Sequence, residues 1–113
     1  MSDPFPRGAV VVSADLVGPR SKRPFVLVST EAHPFYGEEY TAIPLTTTPR
    51  SAAVELTDGR FLEGELPRRS YATPWNIATL KHEAISTHAG TLTEEATERL
   101  VERAIEYLRG EPR

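Results

Sequence analysis

The 113-residue chain contains no cysteine, which excludes both a disulfide scaffold and a thiolate metal site. It has no apolar run approaching the roughly 18 to 20 residues that crossing a bilayer takes, so no membrane segment is expected. Met1-Ser2-Asp3-Pro4-Phe5-Pro6-Arg7 lacks the apolar stretch of a signal peptide, and the cytoplasm is the expected location. His33, His82 and His88 show no metal-ligand spacing, and no metal or other cofactor is expected. Gly18 and Gly59 read as turn glycines, because no glycine-rich phosphate cradle surrounds them. Internal repeats and low-complexity stretches are also missing. The length suits one domain, 1–113, with a modest core.

Charge is unevenly spread. The net value is −3, yet acids and bases balance over residues 1–81, so the acidic excess lies entirely in 82–113. A local cationic face on the first part can still attract phosphate, since fields are screened over about 10 Å.

β-Branched and apolar runs predict strands over about Ala9–Leu16, Phe25–Ser29, Tyr40–Leu45 and Ala53–Leu56, with a possible fifth at Ser70–Ala72. The Phe25–Ser29 run is nearly all apolar, as in a strand buried on both faces. Pro74 has no N–H for a ladder and predicts an edge or bulge before Trp75–Leu80. His82–Ile85 reads as one helical turn, and Thr57–Arg60 as a turn. Thr93 is a good N-cap, Glu94 and Glu95 suit the first turn, and Gly110 supplies a stop. Between them Ala96, Leu100, Val101, Ala104, Ile105 and Leu108 form one apolar stripe at helical spacing. Short strands with few long crossovers favour a mainly β chain, an antiparallel sheet curled into a small barrel over about residues 7–81. A C-terminal α-helix over about 93–109 packs against it.

Two strand tips carry the chemistry. Arg20, Lys22 and Arg23 crowd the tip that leads into Phe25–Ser29, and Thr46-Thr47-Thr48 end the strand that begins at Tyr40. An arginine and a threonine on neighbouring strand ends can hold a phosphate between them, because the guanidinium fork matches phosphate oxygens. Solvated cations and ordinary strand-end hydrogen bonding are the competing readings. Trp75 and Tyr71 can stack bases or fill a core, and Asn76 can read a base edge or shape a turn. Phe5, Phe35, Tyr36 and Trp75 are candidate interface aromatics, with core packing again the alternative.

Arg7-Gly8-Ala9-Val10-Val11, Asp15-Leu16, Lys22 to Ser29, Ile43-Pro44-Leu45-Thr46-Thr47 and Gly90-Thr91-Leu92-Thr93-Glu94-Glu95 occur in an order and spacing that resembles the MazF/PemK family of toxin endoribonucleases. The resemblance spans about Arg7 to Leu108. It implies an SH3-like barrel of the MazF/CcdB type and a homodimer. It also implies an antitoxin partner and metal-independent cleavage of single-stranded RNA to 2′,3′-cyclic phosphate and 5′-OH ends. By the same resemblance Arg23 and Thr46 act on the scissile phosphate, and Arg20, Lys22, Thr47, Trp75 and Asn76 are the candidate substrate-binding residues. Glu31 and His33 are candidates for moving protons.

Two departures stand out. The first loop, Gly18-Pro19-Arg20-Ser21-Lys22, is short and lacks the family's acid and amide, and Ala78 replaces a basic residue. They keep two other readings open: a toxin of the same fold that binds and inhibits a protein such as a topoisomerase, and a non-catalytic RNA- or peptide-binding barrel.

Overall fold

Consecutive valines at 10, 11 and 12 are stiff at χ1 and favour extended backbone, and they form the middle of the first strand. The computed structural model describes residues 3–14 and 21–110, and Asp15, Leu16 and Arg20, singled out above, lie outside these. Eight strands form one curled antiparallel sheet: β1 Ala9–Ala14, β2 Lys22–Leu27, β3 Glu39–Thr46, β4 Val54–Glu55, β5 Phe61–Gly64, β6 Tyr71–Ala72, β7 Ala78–Lys81 and β8 Ile85–Leu92. The order is β4-β6-β3-β2-β1-β8-β5, and β7 also pairs with β3. Single 3₁₀ turns, Asp58–Arg60 and His82–Ala84, precede β5 and β8. Helix α1 covers Glu94–Arg109.

The sheet buries both faces. Val10, Val26, Ile43 and Leu45 point to one side, where Ala96, Leu100 and Ala104 of α1 cover them. Their strand neighbours Ala9, Val11, Phe25, Leu27, Tyr40 and Ala42 point to the other side, which Leu80, Phe5, Ala78 and Ile85 close. That alternation makes the Phe25–Leu27 half of β2 apolar throughout, as expected of a strand sandwiched between two clusters.

Two expectations change. The sheet does not end near residue 81, because β8 pairs with β1 over Ser13 to Ala9 and with β5 over Phe61 to Gly64. The apolar stripe of α1 is not wholly buried, because the core beneath it ends at Ala104: Ile105 is 39 % and Leu108 73 % exposed. The caps are as read. Thr93 Oγ1 accepts from the Ala96 N–H at 3.1 Å, and Gly110 closes the helix at φ 71°.

Tyr40 pins the N-terminal segment. Its hydroxyl accepts from the Phe5 N–H at 3.1 Å and shares a hydrogen bond with His82 Nδ1 at 2.7 Å. Tyr40→Phe is expected to cost about 1–2 kcal/mol in urea unfolding, since it removes the partner of both the Phe5 N–H and the His82 ring nitrogen. On the same strand Glu39 accepts from Lys81, which holds the Lys81 ammonium above its usual 10.5. The stability linked to the Lys81 proton is therefore present in full below that value and is lost as the pH rises through the raised one.

Gly64 and Gly90 face each other where β5 meets β8. At φ 74°, a side chain on Gly64 would overlap the Ala89 carbonyl oxygen and the Gly90 Cα. Gly64→Ala is expected to lose about 2 kcal/mol or more, a left-handed penalty added to a backbone clash, read as a lowered thermal midpoint.

Candidate functional site

Strand registers place five polar side chains in one row. Ser13 of β1 is opposite Arg23 of β2, and the antiparallel β2–β3 pairing, carried two residues beyond Phe25 and Pro44, sets Arg23 level with Thr46. Thr46 is opposite Tyr71 of β6, and Tyr71 is opposite Glu55 of β4. Directly paired residues share a sheet face. Within each strand this row alternates with Val26, Leu45, Ala72 and Val54, whose side chains belong to the cluster under α1. The row therefore lies on the face away from the helix, at the end of the sheet where β3 stops.

Arg23 and Thr46, both half-buried, line one small pocket with Pro24, Leu45, Thr47 and Ser70, enclosing about 30 Å³. Arg23 Nη1 donates to the Leu45 carbonyl at 3.2 Å, which anchors the guanidinium over β3. Thr46 Oγ1 accepts from the Thr48 N–H at 3.1 Å, so the hydroxyl is oriented while its own proton stays available to donate. Ser70 is buried and donates to the Arg68 carbonyl at 3.0 Å, which ties its loop against the pocket. Ser13 is 1 % exposed, and among the described residues its hydroxyl has no hydrogen-bond partner. Such a buried orphan costs about 1–3 kcal/mol, and here it sits on Arg23's own face.

The other candidates divide. Thr47 joins Arg23 and Thr46 in the pocket. Lys22 is exposed and, one residue from Arg23 along β2, projects from the opposite face. Arg20 lies outside the described residues. Trp75 and Asn76 are not brought to the pocket. Trp75 packs edge-on against Tyr107 of α1 at 6.0 Å, and the Asn76 backbone and amide both bond Thr73, shaping the turn that carries Pro74 between β6 and β7. Ala78 pairs with Ala42 and packs on the inner cluster, so that position supplies apolar contact rather than charge.

Glu31 and His33 lie before β3, whereas Thr46 ends it. Seven steps of about 3.3 Å put them some 23 Å from the pocket, too far to exchange protons there. His33 Nδ1 instead accepts from the Phe35 N–H at 3.0 Å. Nothing in the sequence marks Ser13, Glu55 or Ser70 as site residues, and Tyr71 is marked only as a base-stacking candidate; the strand registers reveal the row that joins Ser13, Tyr71 and Glu55 to Arg23 and Thr46. Among the described residues no group of three His, Asp or Glu side chains could hold a metal, and no helix is long and apolar enough to cross a membrane.

No family model and no curated protein matches the sequence. Solved structures do match the fold. An endoribonuclease in complex with its cognate antitoxin, from a mycobacterial species, is 24 % identical with TM-score 0.70, over 99 % of both chains. An endoribonuclease from mycobacterial species is 26 % identical with TM-score 0.71, over 98 % of this chain and 96 % of that one. A MazE–MazF complex from Deinococcus radiodurans is 15 % identical with TM-score 0.66, over 96 % and 98 %. The chain has the fold of MazF-type toxins, a curled antiparallel half-barrel with one C-terminal helix, and the resemblance read from its short motifs holds across the whole structure.

Proposed function

We propose that this protein is the toxin of a toxin–antitoxin pair, an endoribonuclease that cuts single-stranded RNA without a metal ion. The observation that carries the reading is the convergence of Arg23 and Thr46 on one pocket, in a fold shared with proteins described as endoribonucleases.

RNA supplies its own nucleophile. The 2′-oxygen loses its proton and attacks phosphorus, the bond from phosphorus to the 5′-oxygen breaks, and that oxygen takes up a proton. The products are a 2′,3′-cyclic phosphate and a 5′-OH end. DNA lacks the 2′-OH and survives. Negative charge builds on the non-bridging oxygens as the phosphorane forms. Arg23 stays ionised near neutrality and meets that charge with a fixed fork, while the Thr46 hydroxyl donates to a second oxygen. Thr47 supports binding at the same pocket, and Lys22, on the other face, serves longer RNA at most through its reach. An RNA substrate and an antitoxin partner support a cytoplasmic location.

The antitoxin is an acidic segment that folds as it lies across the cationic strand ends, in keeping with the structural neighbours that carry antitoxins. The working unit is a homodimer. Trp75 against Tyr107, with Ile105 and Leu108 uncovered on the same helix end, supplies apolar surface for a second copy of the chain.

The decisive experiment incubates purified, antitoxin-free protein with a long single-stranded RNA in excess EDTA. Discrete fragments ending in cyclic phosphate are expected, and intact RNA from folded protein overturns the reading.

A further inference from the structure

A second, larger cavity adjoins the phosphate pocket. It measures about 420 Å³ and is walled by β4, the Asp58–Arg60 turn, the start of β5 and the loop before β6. Ser70 lines both spaces, and Glu55, which is in the same strand-paired row as Arg23 and Thr46, lines the larger one, so the two are neighbours at the end of the sheet. That volume is in the ordinary range for a small-molecule site, roughly 300–1,000 Å³.

Its chemistry differs from that of the first pocket. Leu56, Phe61 and Leu66 give an apolar wall. Glu55, Asp58 and Glu65 present carboxylates, while Arg68 and Arg69 present guanidinium groups. Glu55 is engaged by Arg69 at 3.4 Å. Asp58 and Glu65 are exposed and, among the described residues, neither has an ion-pair partner. Acids outnumber bases in this lining, so a second phosphate would be repelled. A flat heterocycle with both donor and acceptor edges is welcome: its face meets Phe61 and Leu66, its amino and imino groups meet a carboxylate, and its acceptors meet an arginine.

We infer that this cavity is a base-binding subsite for the nucleotide next to the scissile phosphate. It takes a base with an exocyclic amino group, guanine foremost, because guanine alone offers a carboxylate two adjacent N–H donors and an arginine two adjacent acceptors. Uracil, with no exocyclic amine, is the poorest occupant. The assignment rests on the ribonuclease reading for its substrate and adds the element that chooses where the RNA is cut.

The test separates the two. Non-cleavable 2′-O-methyl RNA hexamers, identical except for guanine or uracil at one position in turn, are titrated into the wild type, Asp58→Asn/Glu65→Gln and Arg23→Ala. At one position next to the pocket-bound phosphate the wild type is expected to prefer guanine about tenfold, within the range of one bidentate base contact. Asp58→Asn/Glu65→Gln should bring that ratio close to one. Arg23→Ala should weaken all hexamers while keeping the ratio. Both carboxylates are exposed and their replacements are isosteric, so folding is not at stake. An unchanged ratio in the double variant, or no guanine preference in the wild type, overturns the subsite. A guanine ratio that behaves as expected in a protein that cuts no RNA upholds the subsite and overturns the ribonuclease. Cleavage without a ratio does the reverse.

Discussion

Arg23→Ala is expected to lower the rate of RNA cleavage at saturating substrate by about 10²- to 10³-fold, the range for removing one preorganised group that meets developing charge. The guanidinium is held over the end of β3 by the Leu45 carbonyl, so it is in place before RNA arrives. It also stays charged, so its loss cannot be recovered by changing pH. Arg23→Lys keeps the charge and loses the fork. It should therefore fall between alanine and wild type, with the deficit in kcat rather than KM, because two-point contact matters most when the phosphorane forms. Thr46→Val removes a single neutral hydrogen bond, and about tenfold is expected. Single-turnover cleavage of an end-labelled RNA measures all three. Equal rates for Arg23→Ala and wild type would show that the pocket is not where RNA is cut.

The strand ends that bear on this result were legible because each depends on a few neighbours in sequence. A cationic tip before an apolar run, and three threonines after another, mark where β2 begins and β3 ends. Helix α1 was legible for the same reason, since its caps and its 3.6-residue stripe are local. Strand β8 was not. Its residues run Ile85-Ser86-Thr87-His88-Ala89-Gly90-Thr91-Leu92, and the register with β1 shifts twice, between Val10 and Val11 and again between Val12 and Ser13. Each shift changes which residues face inward, so no period-2 alternation survives to be read. Strand β5 is four residues long and mostly exposed, and its place is set by two glycines that let its backbone approach β8.

The site was half legible for a related reason. Arg23 and Thr46 announce themselves by residue type, but Ser13, Tyr71 and Glu55 join them only through pairings between strands far apart in the chain. Trp75 and Asn76 drew attention as an aromatic and an amide near a proline. The same proline turns the chain from β6 into β7, and Trp75 ends against α1 instead of over the pocket. Residue type therefore marked where chemistry could occur, while register decided which groups share it.

The helix provides the largest stability effect, and it does so without a single pocket residue. Leu100→Ala is expected to cost about 2–5 kcal/mol. Leu100 is fully buried and lies in the cluster formed by Val10, Val26, Ile43, Leu45 and Leu92, contributed by β1, β2, β3 and β8. A cavity there loosens the contact between the helix and four strands at once, and close-packed strands cannot collapse to fill it. Urea unfolding should show a lower midpoint with an unchanged slope. Well below the new midpoint, RNA cleavage should persist, because the row containing Arg23 and Thr46 lies on the opposite face of the sheet. Leu108, four turns from the helix start and 73 % exposed, provides the contrast. In an isolated chain Leu108→Ala should change stability by no more than about 0.5 kcal/mol. If the helix end meets a second copy, the same substitution lowers stability in a way that grows with protein concentration, because subunit association then adds to folding. Measuring both variants at two concentrations tells core from interface along one apolar stripe, a distinction that helical spacing alone does not contain.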